Sequence, residues 1–129
     1  MLTRVAGSAR SGRKLLHWRA RRVLAYVETH LNERITLDAL ARQACLSVSQ
    51  FSRCFKVTFG VTVHLYLMQR RVQVAQAMML GTSERLSEIA VCCGLNDQSH
   101  LTRWFRRVVG ATPGAWRRAR YAPQEVRTI

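Results

Sequence analysis

The sequence predicts an all-α protein of about seven helices, built as two helix-turn-helix subdomains joined by a long connector helix. Three observations predict it. Apolar residues recur at helical spacing and no segment shows the period-two alternation of a strand. Cap and stop residues punctuate the chain at helix-length intervals. One pattern is also spelled out twice, 50 residues apart. The first copy is Phe51-Ser52-Arg53-Cys54-Phe55-Lys56, then Phe59-Gly60-Val61-Thr62 and Tyr66. The second is Leu101-Thr102-Arg103-Trp104-Phe105-Arg106, then Val109-Gly110-Ala111-Thr112 and Trp116. Leu40-Ala41 precedes the first copy and Ile89-Ala90 the second, an offset of 49 that gives the second turn one extra residue.

Residues 1–17 are rich in Arg, Gly and Ser and read as a flexible basic arm carrying Arg4, Arg10 and Arg13. The first subdomain, 18–62, opens with a helix over Trp18–Leu31, apolar at Val23, Leu24, Val27 and Leu31. Asn32-Glu33-Arg34 breaks it. Thr36 caps a helix over Leu37–Ala44 with Leu37, Leu40, Ala41 and Ala44 facing inward. Ser47 and Gln50 form a capping-box pair that starts the next helix, whose inner residues are Phe51, Cys54, Phe55 and Thr58. Gly60 stops it in the left-handed conformation that helix ends favour.

The connector, 63–81, is capped by Thr62, runs from Val63 to Leu80 and ends at Gly81. Its expected apolar side is Val63, Leu67, Val74 and Met78, with Tyr66 and Ala77 beside it. The second subdomain, 82–119, repeats the first. Leu86, Ile89, Ala90 and Cys93 face inward, Gly94 and Asn96-Asp97 turn the chain, and Asp97 takes the place of Ser47. Leu101, Trp104, Phe105 and Val108 make the next stripe. Gly110 ends that helix, and Thr112-Pro113 opens a short last helix to about Ala119, leaving 120–129 as a tail.

Composition narrows the function. The 129 residues suit one domain, or two small subdomains sharing a connector, and 48% apolar residues supply a core. With 21 Lys+Arg against 7 Asp+Glu the chain carries +14, a surplus that attracts polyanions. Nearly all of it is Arg, which suits bidentate contacts but also follows from a GC-rich genome. No apolar run reaches the ~18 residues of a membrane span, so no membrane partner is expected and the location is read as cytoplasmic, on the nucleoid. Cys45, Cys54, Cys92 and Cys93 form no metal-binding spacing; Cys45, Cys54 and Cys93 are expected as buried reduced thiols. His17, His30, His64 and His100 lack catalytic partners at suitable spacing, so neither an enzyme nor a cofactor is expected.

Once the core stripe of each repeated helix is set aside, a matching outer face remains. In the first copy it is Ser49, Ser52, Arg53 and Lys56, and in the second Ser99, Thr102, Arg103 and Arg106. Small hydroxyls let a helix approach a groove floor, and Arg bonds a guanine edge through two donors. Gln98 suits adenine in the same way. The expected base readers are therefore Ser49, Ser52, Arg53, Gln98, Ser99, Thr102 and Arg103, and the expected phosphate contacts Ser47, Lys56, Arg106 and Arg107.

From about Val23 to Arg118 the chain resembles the DNA-binding domain of the AraC/XylS family of bacterial transcription regulators. The resemblance is carried by Thr36-Leu37, Leu40-Ala41, Ala44-Cys45-Leu46-Ser47, Phe51-Ser52-Arg53, Phe55-Lys56 and Gly60. It continues through Tyr66, Arg71, Ala75 and Met78–Leu80. Its most specific part is Ile89-Ala90, Cys93-Gly94-Leu95, Ser99-His100-Leu101-Thr102-Arg103-Trp104-Phe105, Gly110-Ala111-Thr112-Pro113 and Trp116-Arg117. The family often has Phe at the positions of Leu95 and Leu101, and some relatives have a large aromatic at that of Ser49. The resemblance implies two recognition helices in successive major grooves of double-stranded DNA, and activation through RNA polymerase as the usual outcome. The starting Met1 and the extra basic residues before the first helix favour a stand-alone regulator, and no small-molecule effector is expected within this chain. The alternatives are the DNA-binding part of a longer effector-sensing regulator, a non-specific architectural binder, and a module docking one unit on RNA polymerase.

Overall fold

The computed structural model describes residues 13–128, with side chains through residue 120. Among these residues there are seven helices and no strand: α1 (His17–His30), α2 (Leu37–Gln43), α3 (Val48–Phe59), α4 (Val63–Gly81), α5 (Leu86–Cys92), α6 (Gln98–Val109) and α7 (Pro113–Thr128). The all-α reading holds. Most of the basic arm, including Arg4 and Arg10, lies outside the described residues.

Two compact units divide the chain, residues 1–67 and 68–129. In the first, α1 buries Val23 and Val27, α2 buries Leu40 and Ala41, and α3 buries Phe51 and Phe55. Leu31, Ala44, Val63 and Leu67 complete this core. Tyr66 meets Phe55 edge-on, with ring centroids 5.6 Å apart. The inner end of the expected arm is packed, because Leu15 is buried and its N–H donates to Thr58 Oγ1 at 2.7 Å.

The core of the second unit takes Met68, Val72, Ala75 and Met79 from α4, Ile89 and Ala90 from α5, and Cys93 and Leu95 from the turn. Leu101 and Phe105 come from α6 and Trp116 from α7, with Trp116 edge-on to Phe105 at 5.7 Å. Each fully buried Leu or Phe contributes about 1.5–3 kcal/mol of transfer free energy.

Four expectations change. Leu37, placed inward by periodicity, is 39% exposed. As the first residue of α2, next to its cap, it precedes the turn that the core covers. Along α4 the buried stripe is Val63, Leu67, Arg71, Ala75 and Met79, flanked by Met68 and Val72, while Val74 and Met78 are half-buried and Ala77 exposed. The stripe passes through a charged residue, which a hydrophobic pattern skips. Burial lowers the pKa of Arg71, and the neighbouring Cys93 opposes that shift. Of the cysteines only Cys93 is buried, its thiol pushed up to about 11 mainly by desolvation. Cys45 and Cys92 are exposed and Cys54 half-buried. Finally, α7 continues to Thr128 instead of ending near Ala119; helix formers such as Arg118, Ala119 and Arg120 favour the first part of the extension, and the helix then runs on through Pro123, which propensity alone does not explain.

Candidate nucleic-acid interface

Local chemistry sets the two repeated helices in the same way. Ser47 Oγ accepts from the Gln50 N–H at 3.2 Å while Gln50 Oε1 accepts from the Ser47 N–H, a complete capping box. At the start of α6, Asp97 Oδ1 accepts from the His100 N–H at 2.8 Å, and His100 Nδ1 accepts from the Asn96 N–H at 3.2 Å. The second unit thus rebuilds the box with different groups. Sequence spacing showed the Asp97 half of it and missed the His100 half. Both helices are 12 residues long and stop at a left-handed glycine, Gly60 (φ 78°) and Gly110 (φ 95°).

Burial repeats as closely as the caps. From residue 51 to 60 and from 101 to 110 the order of buried, half-buried and exposed positions is identical. Phe51 and Phe55 in one copy, and Leu101 and Phe105 in the other, anchor the helix from beneath. The outer residues are consequently presented alike. Ser49, Arg53 and Lys56 are exposed and Ser52 half-buried; Ser99, Arg103 and Arg106 are exposed and Thr102 half-buried. Ser47, Gln98 and Arg107 are exposed as well.

In the second unit Gln98, Ser99, Thr102, Arg103 and Arg106 line one shared concavity of about 610 Å³. Arg107 is drawn aside, its guanidinium 4.9 Å from the centroid of the Trp104 ring. In the first unit Arg53 Nη1 donates to Ser49 Oγ at 2.8 Å, which ties that guanidinium back along its own helix. Ser52, Arg53 and Lys56 share a groove with apolar residues. Ser47 is held in its cap.

Two further arginines, neither among the expected DNA contacts, pin loops. Arg19 Nη1 donates to the Ala44 and Cys45 carbonyls, closing the turn between α2 and α3. Arg117 donates to the carbonyls of Met79 (3.0 Å), Thr82 (2.6 Å) and Glu84 (2.8 Å), bracing the loop between α4 and α5. Among the described residues, no cluster of three His, Cys, Asp or Glu could hold a metal ion, and no helix is long and apolar enough to cross a membrane.

Two small all-α units, each presenting a capped helix with an arginine-bearing outer face, define a helix-turn-helix protein. Residues 40–119 match the family model described as a helix-turn-helix domain, and the chain belongs to that family. It is 35% identical over 88 residues to the probable transcriptional regulator LumQ of Photobacterium leiognathi, covering 68% of this chain and 36% of LumQ. It is 32% identical over 98 residues to the transcriptional activator RhaS of Escherichia coli O139:H28, covering 76% of this chain and 35% of RhaS. Among solved structures it is similar to the DNA-binding domain of the global transcriptional factor AdpA in complex with a target DNA. There the TM-score is 0.74 and the identity 33%, with 83% of this chain and 97% of that one covered. The chain spans just over a third of the length of LumQ and of RhaS.

Proposed function

We propose that this chain binds double-stranded DNA sequence-specifically as part of a transcription regulator, with α3 and α6 each reading a major groove. The observation that carries this reading is the identical burial order of residues 51–60 and 101–110, which leaves two matched faces of small hydroxyl and cationic side chains. Arg103 reads a base edge, most simply guanine, with Gln98, Ser99 and Thr102 beside it. Ser49, Ser52 and Arg53 form the corresponding face of the first unit. Lys56, Arg106, Arg107 and Ser47 contact phosphates and set the register. The +14 charge supplies the sequence-independent part of the affinity. The AdpA domain, 33% identical over most of this chain, is described with a target DNA, which supports the reading.

Two finer statements belong to the same proposal. The two faces read successive grooves, so that the preferred site has two blocks about one helical turn apart. The outcome is activation through RNA polymerase, supported by the similarity to the activator RhaS.

Selection of bound duplexes from a random pool tests the core of the proposal. A two-block motif is expected. Enrichment without any sequence preference, together with a steep salt dependence, would identify a non-specific binder and refute base reading.

A further inference from the structure

A groove of about 770 Å³ lies within the first unit beside α3. Ile35, Leu37, Val57, Val63 and Leu67 line it, together with the basic Arg53 and Lys56 and the polar Ser52, Thr62 and His64. Among the described residues no Asp or Glu lines it. Leu37 and Val57 are 39% and 37% exposed, so apolar surface faces water there. That volume, a mostly apolar lining and a few charged groups on one side are the features of a small-molecule site.

The second unit does not reproduce the groove: Leu86 and Pro113 stand at the positions of Leu37 and Val63, but two of its apolar residues are replaced by arginine. Fifty residues on, Val57 becomes Arg107 and Leu67 becomes Arg117. Arg117 points its guanidinium at the carbonyls of Met79, Thr82 and Glu84, and the concavity beside α6 has only polar residues around it.

From this juxtaposition we infer that the groove of the first unit binds an amphipathic monocarboxylate, whose occupation competes with DNA for Arg53 and Lys56. The branched aliphatic walls take an alkyl body by dispersion and desolvation. The carboxylate pairs with the two cations; the bond from Arg53 to Ser49 uses one of its five N–H donors and leaves others for a carboxylate. Because Arg53 and Lys56 belong to the proposed DNA-contacting face, carboxylate and phosphate exclude one another, and the coupling is reciprocal. The competition rests on the proposed DNA reading, whereas the site itself does not.

Octanoate and its uncharged analogue octanamide are suitable probes, titrated into the DNA-free full chain and followed by amide NMR shifts. Octanoate is expected to move the signals of Leu37, Val57, Val63 and Leu67 saturably, and octanamide to bind at least about tenfold more weakly. The double variant Leu37→Gln/Val57→Asn, at two partly exposed positions, should keep the wild-type melting temperature and lose octanoate binding. If the pair unfolds, Leu37→Gln alone serves. Saturating octanoate should then weaken wild-type binding to a selected duplex by at least about fivefold and leave the variant unaffected. Scattered or non-saturable shifts, equal binding of the amide, or binding retained by the variant would overturn the site. Octanoate held in the groove with DNA affinity unchanged would overturn the competition. A chain that binds octanoate but no duplex would refute the DNA reading and keep the site.

Discussion

The two units are copies in their backbones and differ in what they expose. Each has a 12-residue outer helix with a side-chain cap, a glycine stop and two buried anchors one turn apart. Those features satisfy helix ends and a core, and any copy that folds this way needs them. Elsewhere the units part. The first has a Ser47–Gln50 box, a tied-back Arg53 and an apolar groove; the second has a charged Asp97 cap, an Arg103 not bonded to Ser99, and Arg117 where Leu67 stands. On the proposed reading, the second unit would be the firmer base reader and the first would be open to a second kind of partner.

The largest expected effect tests the equivalence of the cores. Phe55→Ala and Phe105→Ala each empty a fully buried site and should cost about 3–5 kcal/mol, measured by urea unfolding. A gap between them well beyond that range would mean that the anchors do not play the same part. The readers come next. Arg103→Ala should cost about 1–3 kcal/mol on a selected duplex and relax preference at one base pair. Arg53→Ala should cost less, because part of its hydrogen bonding is spent on Ser49. If the selected motif is unchanged in Arg103→Ala, Arg103 does not read a base. Smaller still, and independent of sequence, are the phosphate contacts. Lys56→Ala and Arg106→Ala should weaken all duplexes about equally, each lowering the slope of log affinity against log salt by about 1. An unaltered slope in either variant would remove that residue from the phosphate set.

The sequence showed whatever rests on neighbours along the chain. Thr36, Ser47, Asp97, Gly60 and Gly110 announce helix ends because capping is local, and each sits where it was expected. The matched outer faces were equally legible, since 3.6-residue periodicity separates them from Phe51, Phe55, Leu101 and Phe105. What escaped depends on partners distant in sequence. Arg71 lies in a core stripe although it is charged. Arg117 finds its carbonyls 33 to 38 positions away. Leu37 follows the helical period, yet α2 is too short for its first residue to be covered. The groove needs α3 and the start of α4 brought together, and no spacing rule contains that.

The smallest effect concerns the turns, where the copies differ by one residue in length and by the side chain at a left-handed position. Cys45 has φ 57° without being glycine, whereas the corresponding turn of the second unit has Gly94 at φ 87°. A residue with a Cβ costs about 1–2 kcal/mol in this conformation, while glycine costs about 0.5–1 kcal/mol more in chain entropy on folding. The first effect is the larger, so Cys45→Gly should stabilise by about 0.5–1 kcal/mol and Gly94→Ala should destabilise by about as much. Nothing offsets the gain at residue 45. Its side chain is exposed, and its contacts run through the backbone: its N–H donates to the Arg42 carbonyl at 3.0 Å and its own carbonyl accepts from Arg19. Thermal melting of the two variants beside the parent reads both signs, and duplex affinity should be unaltered because neither residue is on an outer face. A Cys45→Gly protein that melts lower than the parent would mean that the cysteine side chain does something the turn geometry does not account for.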